Sequence, residues 1–271
     1  MKIWRYRAKP KKQKSIFVTD IEPLAATTVR YELFLQWLIL ACTLTFTLWL
    51  AWDLGVLSQI FTQDPTRICY VIALFFLGST LHCGVRSLYI AQQLNLIDEM
   101  VQTAAEDAQP PQLDGEKVLM SGQLLRPSLP VDYLRSILLR YQGNRLSQDL
   151  QLEHTQLTDI LSERSRGQHE IGWFISGLAL KLGLLGTVIG FVMMLGSLTT
   201  MESLDLSDVQ SLLSRMTLGM GIALNTTLAG LAANVLLSFQ YLMLDRGADK
   251  LVSHTVHYVQ TSVIPRLTSG S

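Results

Sequence analysis

Three threonines and an asparagine stand inside long apolar runs of this chain: Thr187 in one run, and Thr226, Thr227 and Asn234 in the next. An oxygen in such a setting has two uses. It can bond the carbonyl four residues back in its own helix, or it can hold water or a desolvated cation. Small residues surround these four. Gly183, Gly186 and Gly190 flank Thr187, and Gly183, Thr187, Gly190 and Met194 share one helix face. In the next run Gly219, Ala223, Thr226, Gly230 and Ala233 form a small-residue stripe, and Met220, Thr227 and Asn234 form a second face about 100° away. Small residues let helices in lipid approach closely. Two non-leucine faces imply contact on two sides, one with the preceding run and one with a neighbouring subunit or a central cavity.

The elements that must carry these residues are spanning helices, each needing about 20 mostly apolar residues. Four segments qualify: 33–52, 68–85, 172–198 and 217–244. Trp37 near one end of the first and Trp49 and Trp52 near the other fit aromatic belts at both interfaces. With 49% hydrophobic and 16% charged residues, the composition is that of a membrane protein. The fold class is all-α, with four transmembrane helices and long cytoplasmic helical extensions.

Loop charges orient the spans. Residues 1–30 carry eight Lys or Arg and residues 87–170 carry seven, whereas 53–67 and 199–216 carry only Arg67 and Arg215 among acidic neighbours. The positive-inside rule then puts both termini and the long middle in the cytoplasm. The layout is a basic tail (1–30), a spanning hairpin (31–86), a cytoplasmic helical region (87–170), a channel-like core (171–245) and a cytoplasmic C-terminal helix or tail (246–271). In the middle region Leu134, Ile137, Leu138 and Tyr141, then Leu146, Leu150, Leu157 and Leu161, follow a helical period, and no strand pattern stands out. Lys181 reads as an interfacial side chain reaching the inner headgroups, with 182–198 as the true span.

Several classes are excluded. No nucleophile triad, paired-acid site or phosphate loop is visible, so an enzyme is not expected. Cys42, Cys69 and Cys83 are odd in number, fit no zinc spacing and read as small buried hydrophobes; His254 and His257 do not make a metal site. The basic tail is a membrane flank and not a nucleic-acid patch. No carboxylate lies inside any of the four runs, and Asp53 and Asp245 sit at their ends. An ion crossing here calls for an acid supplied by another chain.

The run GLLGTVIG from Gly183 to Gly190 and the run MGIALNTTLAGL from Met220 to Leu231 resemble the third- and fourth-span motifs of the MotA/TolQ/ExbB family, the ring subunits of ion-driven membrane motors. ADKL from Ala248 to Leu251 resembles the span exit of sodium-type stators. Four spans with a large loop after the second resemble MotA. The resemblance implies a bacterial inner-membrane homopentamer around a dimer of a single-span MotB-, TolR- or ExbD-like partner, whose Asp carries the ion. A cytoplasmic rotor or effector is a further implied partner, and no cofactor is implied beyond the transported proton or sodium. Thr187 and Thr227 fall at the family's channel-threonine positions, and Thr226 at the extra hydroxyl of sodium-type stators. Ile222 stands where ExbB and TolQ carry Glu, and Leu180 where flagellar stators carry Pro.

Overall fold

The computed structural model describes residues 31–62, 64–106, 111–115, 117–120, 122–143, 150–198 and 206–269. The basic tail, Asn144, Leu146 and residues 199–205 of the acidic loop lie outside them. Among the described residues four helices are long and apolar enough to cross a membrane. They are α1 (Glu32–Asp53), α3 (Ile68–Glu106), α6 (His169–Leu198) and α7 (Leu206–Tyr258), with the short α2 (Val56–Thr62) between the first two. At 1.5 Å per residue the 22 residues of α1 reach about 33 Å, close to the hydrocarbon thickness. The 39 residues of α3 and the 53 of α7 run far beyond it. They continue because nothing stops them: no proline occurs between Pro65 and Pro110 for α3, or between Pro130 and Pro265 for α7.

Hydroxyls on the outer helix spend themselves locally. Thr43, Thr45 and Thr47 of α1 donate to the carbonyls of Ile39, Ala41 and Thr43, each at 2.8 Å. This lets polar side chains sit in an apolar surround. No residue of α1 is buried. It touches the bundle at its lower end, where Trp37 lies over Gly84 and Leu33 over Gly247. Cys42 is exposed on this helix, which corrects its reading as a buried side chain; Cys69 and Cys83 are buried free thiols.

A tight turn sets the start of α3. Arg67 takes a left-handed φ of 58°, and the buried Asp64 accepts hydrogen bonds from the Cys69 amide at 2.8 Å, the Thr66 amide at 3.0 Å and the Thr66 hydroxyl. One of the orphan N–H groups at a helix start is satisfied this way. Burial pushes the Asp64 carboxyl up, but the bonds from Thr66 and Cys69 outweigh it and hold its pKa below the ordinary 3.8. A lowered folded pKa contributes stability above the unfolded value and loses it as pH falls through the folded one. Asp64→Ala is expected to cost about 1–3 kcal/mol at neutral pH. Thermal unfolding in detergent should show that gap closing as the buffer is taken below pH 3.8; a gap unchanged with pH would refute the assignment.

Beyond the apolar spans, α4 (Leu129–Gly143) and α5 (Leu150–Arg166) pack with the long ends of α3 and α7. The absence of strands expected for this region is corrected. Three short strands, β1 (Gln112–Asp114), β2 (Lys117–Met120) and β3 (Gln123–Leu124), form an antiparallel sheet in sequential order. Gly115 and Gly122 turn the strands at φ 61° and 75°, a region glycine enters without cost. Val118 and Met120 point from one face of β2 into a core with Met100, Leu134, Ile137, Leu161 and Val259. The chain closes this body with one wide turn at Val259–Val263 and α8 (Ile264–Ser269). Arg266 donates to the Ala104 carbonyl and Tyr141 to the Leu267 carbonyl.

Candidate ion path

The antiparallel α6–α7 hairpin is the tightest contact in the molecule, and its glycines explain why. A Cβ on Gly230 would stand 2.8 Å from both the Ala179 carbonyl oxygen and the Gly183 Cα. One on Gly190 would stand 2.7 Å from the Gly219 carbonyl oxygen, and one on Gly219 2.9 Å from that of Gly190. Gly186 lies against the side chain of Thr226. The stripe Gly219, Ala223, Thr226, Gly230 and Ala233 therefore faces α6 of the same chain. Leu184, Val188, Phe191, Leu224, Leu228 and Leu231 point outward and are exposed.

The hydroxyls divide by this geometry. Thr226 is fully buried in the seam and donates to the carbonyls of Ile222 at 2.9 Å and Ala223 at 3.2 Å. Thr227 is half-buried at the edge of the seam, its hydroxyl 3.0 Å from the Ala223 carbonyl and 3.4 Å from that of Gly183. Thr187, also half-buried, donates to the Leu184 carbonyl. A hydroxyl has one hydrogen and two lone pairs, so Thr187 and Thr227 keep acceptor capacity after bonding their own helices. Asn234 joins a separate cluster lower down: Ser176 lies 3.1 Å from the Asn234 carbonyl and 3.0 Å from the Ser238 hydroxyl, and Ser238 donates to Asn234 Oδ1 at 3.1 Å. Lys181 is exposed, two residues from the layer in which Ala179 and Ala233 pack with Ile72 and Phe76 of α3. The helix runs unbroken past it from His169.

Sequence reasoning missed a polar group at the end of the hairpin where α6 begins. His169, 1% exposed, holds Asp245 at 2.7 Å, and Trp173 donates to the other Asp245 oxygen at 2.9 Å. Arg86, where the apolar run of α3 ends, is buried over the Tyr89 ring and faces His169 Nε2 at 3.4 Å. Tyr241 fills the space beside it, its hydroxyl 3.0 Å from the Ser79 carbonyl and 3.1 Å from His82 Nδ1. The available signal was periodicity: Thr227, Asn234, Ser238 and Asp245 fall at intervals of seven, four and seven.

A bundle of apolar helices with a glycine-lined seam and a few edge hydroxyls defines a multi-span membrane protein built for close helix contact. Residues 134–256, from α4 into α7, match the model of the MotA/TolQ/ExbB proton channel family, so this part of the chain is similar to that family. The match and the four apolar helices together imply an integral inner-membrane protein. No curated protein and no solved structure matches the chain.

Proposed function

We propose that this chain is the ring subunit of an ion-driven motor, five copies surrounding two single-span helices of a MotB-, TolR- or ExbD-like partner. The observation that carries this reading is a glycine-tight hairpin with half-buried hydroxyls at its edge, Thr187 on one helix and Thr227 on the other, and no carboxylate within its apolar runs. Such a surface can solvate an ion and cannot carry one, so the acid must come from the helices inside the ring. The leucine, valine and phenylalanine side chains turned outward from α6 and α7 supply the surface for neighbouring copies and lipid. The charge imbalance of the loops places residues 1–30, the sheet-bearing middle and residues 246–271 in the cytoplasm. Long continuous α3 and α7 then carry motion from the membrane to that body. The family description favours the proton over sodium, and the burial of Thr226 removes the hydroxyl that argued for sodium.

A non-conducting scaffold is the second reading, favoured by one observation: each of these threonine hydroxyls bonds a carbonyl of its own helix. One experiment separates them. Cells expressing the chain alone should keep their proton gradient, measured with a pH-sensitive fluorescent protein. Cells that also express an activated single-span partner should lose it. No loss on co-expression would leave the scaffold reading.

A further inference from the structure

Polar groups on the two helices of the hairpin share one register. Eleven residues down α6 from Thr187 is Ser176, and eleven along α7 from Thr227 is Ser238; seven more reach His169 and Asp245. Steps of eleven and seven residues are three turns plus about 20° and two turns minus about 20°, so each set stays on one helix face. Asn234 sits on the same face of α7, seven residues from Thr227. The contacts agree with this register: Ser176 meets Ser238 at 3.0 Å and His169 meets Asp245 at 2.7 Å. From the threonine level to the His–Asp level is eighteen residues on either helix, about 27 Å, roughly the thickness of the hydrocarbon core.

The lower pair is built to hold a proton. Nε2 of His169 faces the Arg86 guanidinium, which only donates, so Nε2 accepts and Nδ1–H donates to Asp245. Asp245 also accepts from Trp173 and is 26% exposed, which opens it to water, while His169 is sealed. The groups around the pair are Arg86, His82 and Cys83 from α3, Tyr241 from α7, and the Arg166–Asp249 ion pair one turn further along α7. Arg86 also donates to the carbonyls of Ser165 at 3.0 Å and Arg164 at 3.5 Å, in the last turn of α5. The same cation thus faces the histidine ring and closes the end of a cytoplasmic helix.

We propose that His169 and Asp245 form the proton-accepting site at the inner mouth of the path, and that Arg86 couples its occupancy to α5. This rests on the channel reading above. One proton adds to an Asp245 carboxylate oxygen from the membrane side, forming one O–H bond, and leaves to water when that bond breaks; the Nδ1–H of His169 stays in place. With the proton present Asp245 is neutral and accepts more weakly from His169, so the ring that Arg86 meets through Nε2 is held less firmly.

The test uses vesicles holding the full chain with its co-expressed single-span partner, proton uptake being read by a pH-sensitive dye across buffers from pH 5 to 9. Asp245→Asn should lose flux by at least about tenfold, the scale of a removed proton-transfer group, while the complex keeps its size in detergent. Asp245→Glu should conduct with a displaced pH midpoint. Wild-type flux in Asp245→Asn overturns the proposal. Should Asp245→Asn fail to assemble, an unaltered pH profile in Asp245→Glu overturns it instead. Thr227→Val beside them separates the two readings. Flux blocked in Thr227→Val but intact in Asp245→Asn sinks only the acceptor site; no flux in wild type sinks the channel reading and this proposal with it.

Discussion

Gly230→Leu is expected to yield no monodisperse protein, and Gly230→Ala a folded protein with a lower unfolding temperature. The first added atom already meets backbone on the opposite helix, at 2.8 Å from the Ala179 oxygen and the Gly183 Cα. Backbone cannot swing aside as a side chain does, so α6 and α7 must separate along their length. A single forced methyl in a packed seam costs about 1–3 kcal/mol; an isobutyl group costs the hairpin. Gly78 and Gly177 provide the comparison, because a Cβ at either position meets nothing within 4 Å. Gly78→Ala and Gly177→Ala should unfold with wild type in a detergent thermal-shift assay. Gly230→Ala unfolding with wild type would mean that the seam is looser than its geometry. The defect is one of the subunit fold itself, since the stripe faces α6 of the same chain. Loss of the ring would follow as a consequence.

The stripe shows why so much of the hairpin was legible. Glycine and alanine at helical spacing inside an apolar run have few uses other than close approach, and the threonines among them sort by angle into seam and edge. Thr226 and Thr227 are neighbours in sequence but about 100° apart on the helix, and only the structure says which faces α6. What was hidden depended on register between distant segments. His169 and Asp245 are 76 residues apart, and each alone looks like a charge at a span end. The sheet was hidden for another reason. Its strands are two to four residues long, too short for the alternation of Val118 and Met120 to show as a pattern. How far α7 runs was hidden because hydropathy marks where lipid begins and says nothing about where a helix ends, and no proline falls from 131 to 264 to mark it. The end of α3 was legible, since Leu94, Ile97 and Val101 continue the helical period and Pro110 and Pro111 break it.

Thr227→Val and Thr187→Val should each abolish most ion flux through the assembled complex while leaving its size unchanged. Valine matches threonine in shape, so the close approach of residue 227 to Gly183 survives; what goes is an oxygen. The hydroxyl hydrogen of Thr227 is already committed to the Ala223 carbonyl at 3.0 Å, so its worth to an ion lies in its lone pairs. A hydrogen bond lost in a water-poor passage costs about 1–3 kcal/mol, a factor of roughly 5 to 150 in rate. Thr227→Ser keeps the oxygen and should keep most of the flux, which a purely packing role would not require. Thr226→Val should behave differently again. Its hydroxyl serves only its own helix inside the seam, so flux should persist with a small loss of stability. Running all four variants in sodium-free buffer identifies the ion, full wild-type activity there leaving protons as the driver. Undiminished flux in both Thr187→Val and Thr227→Val would refute the channel role of the hairpin edge, whatever the ring encloses.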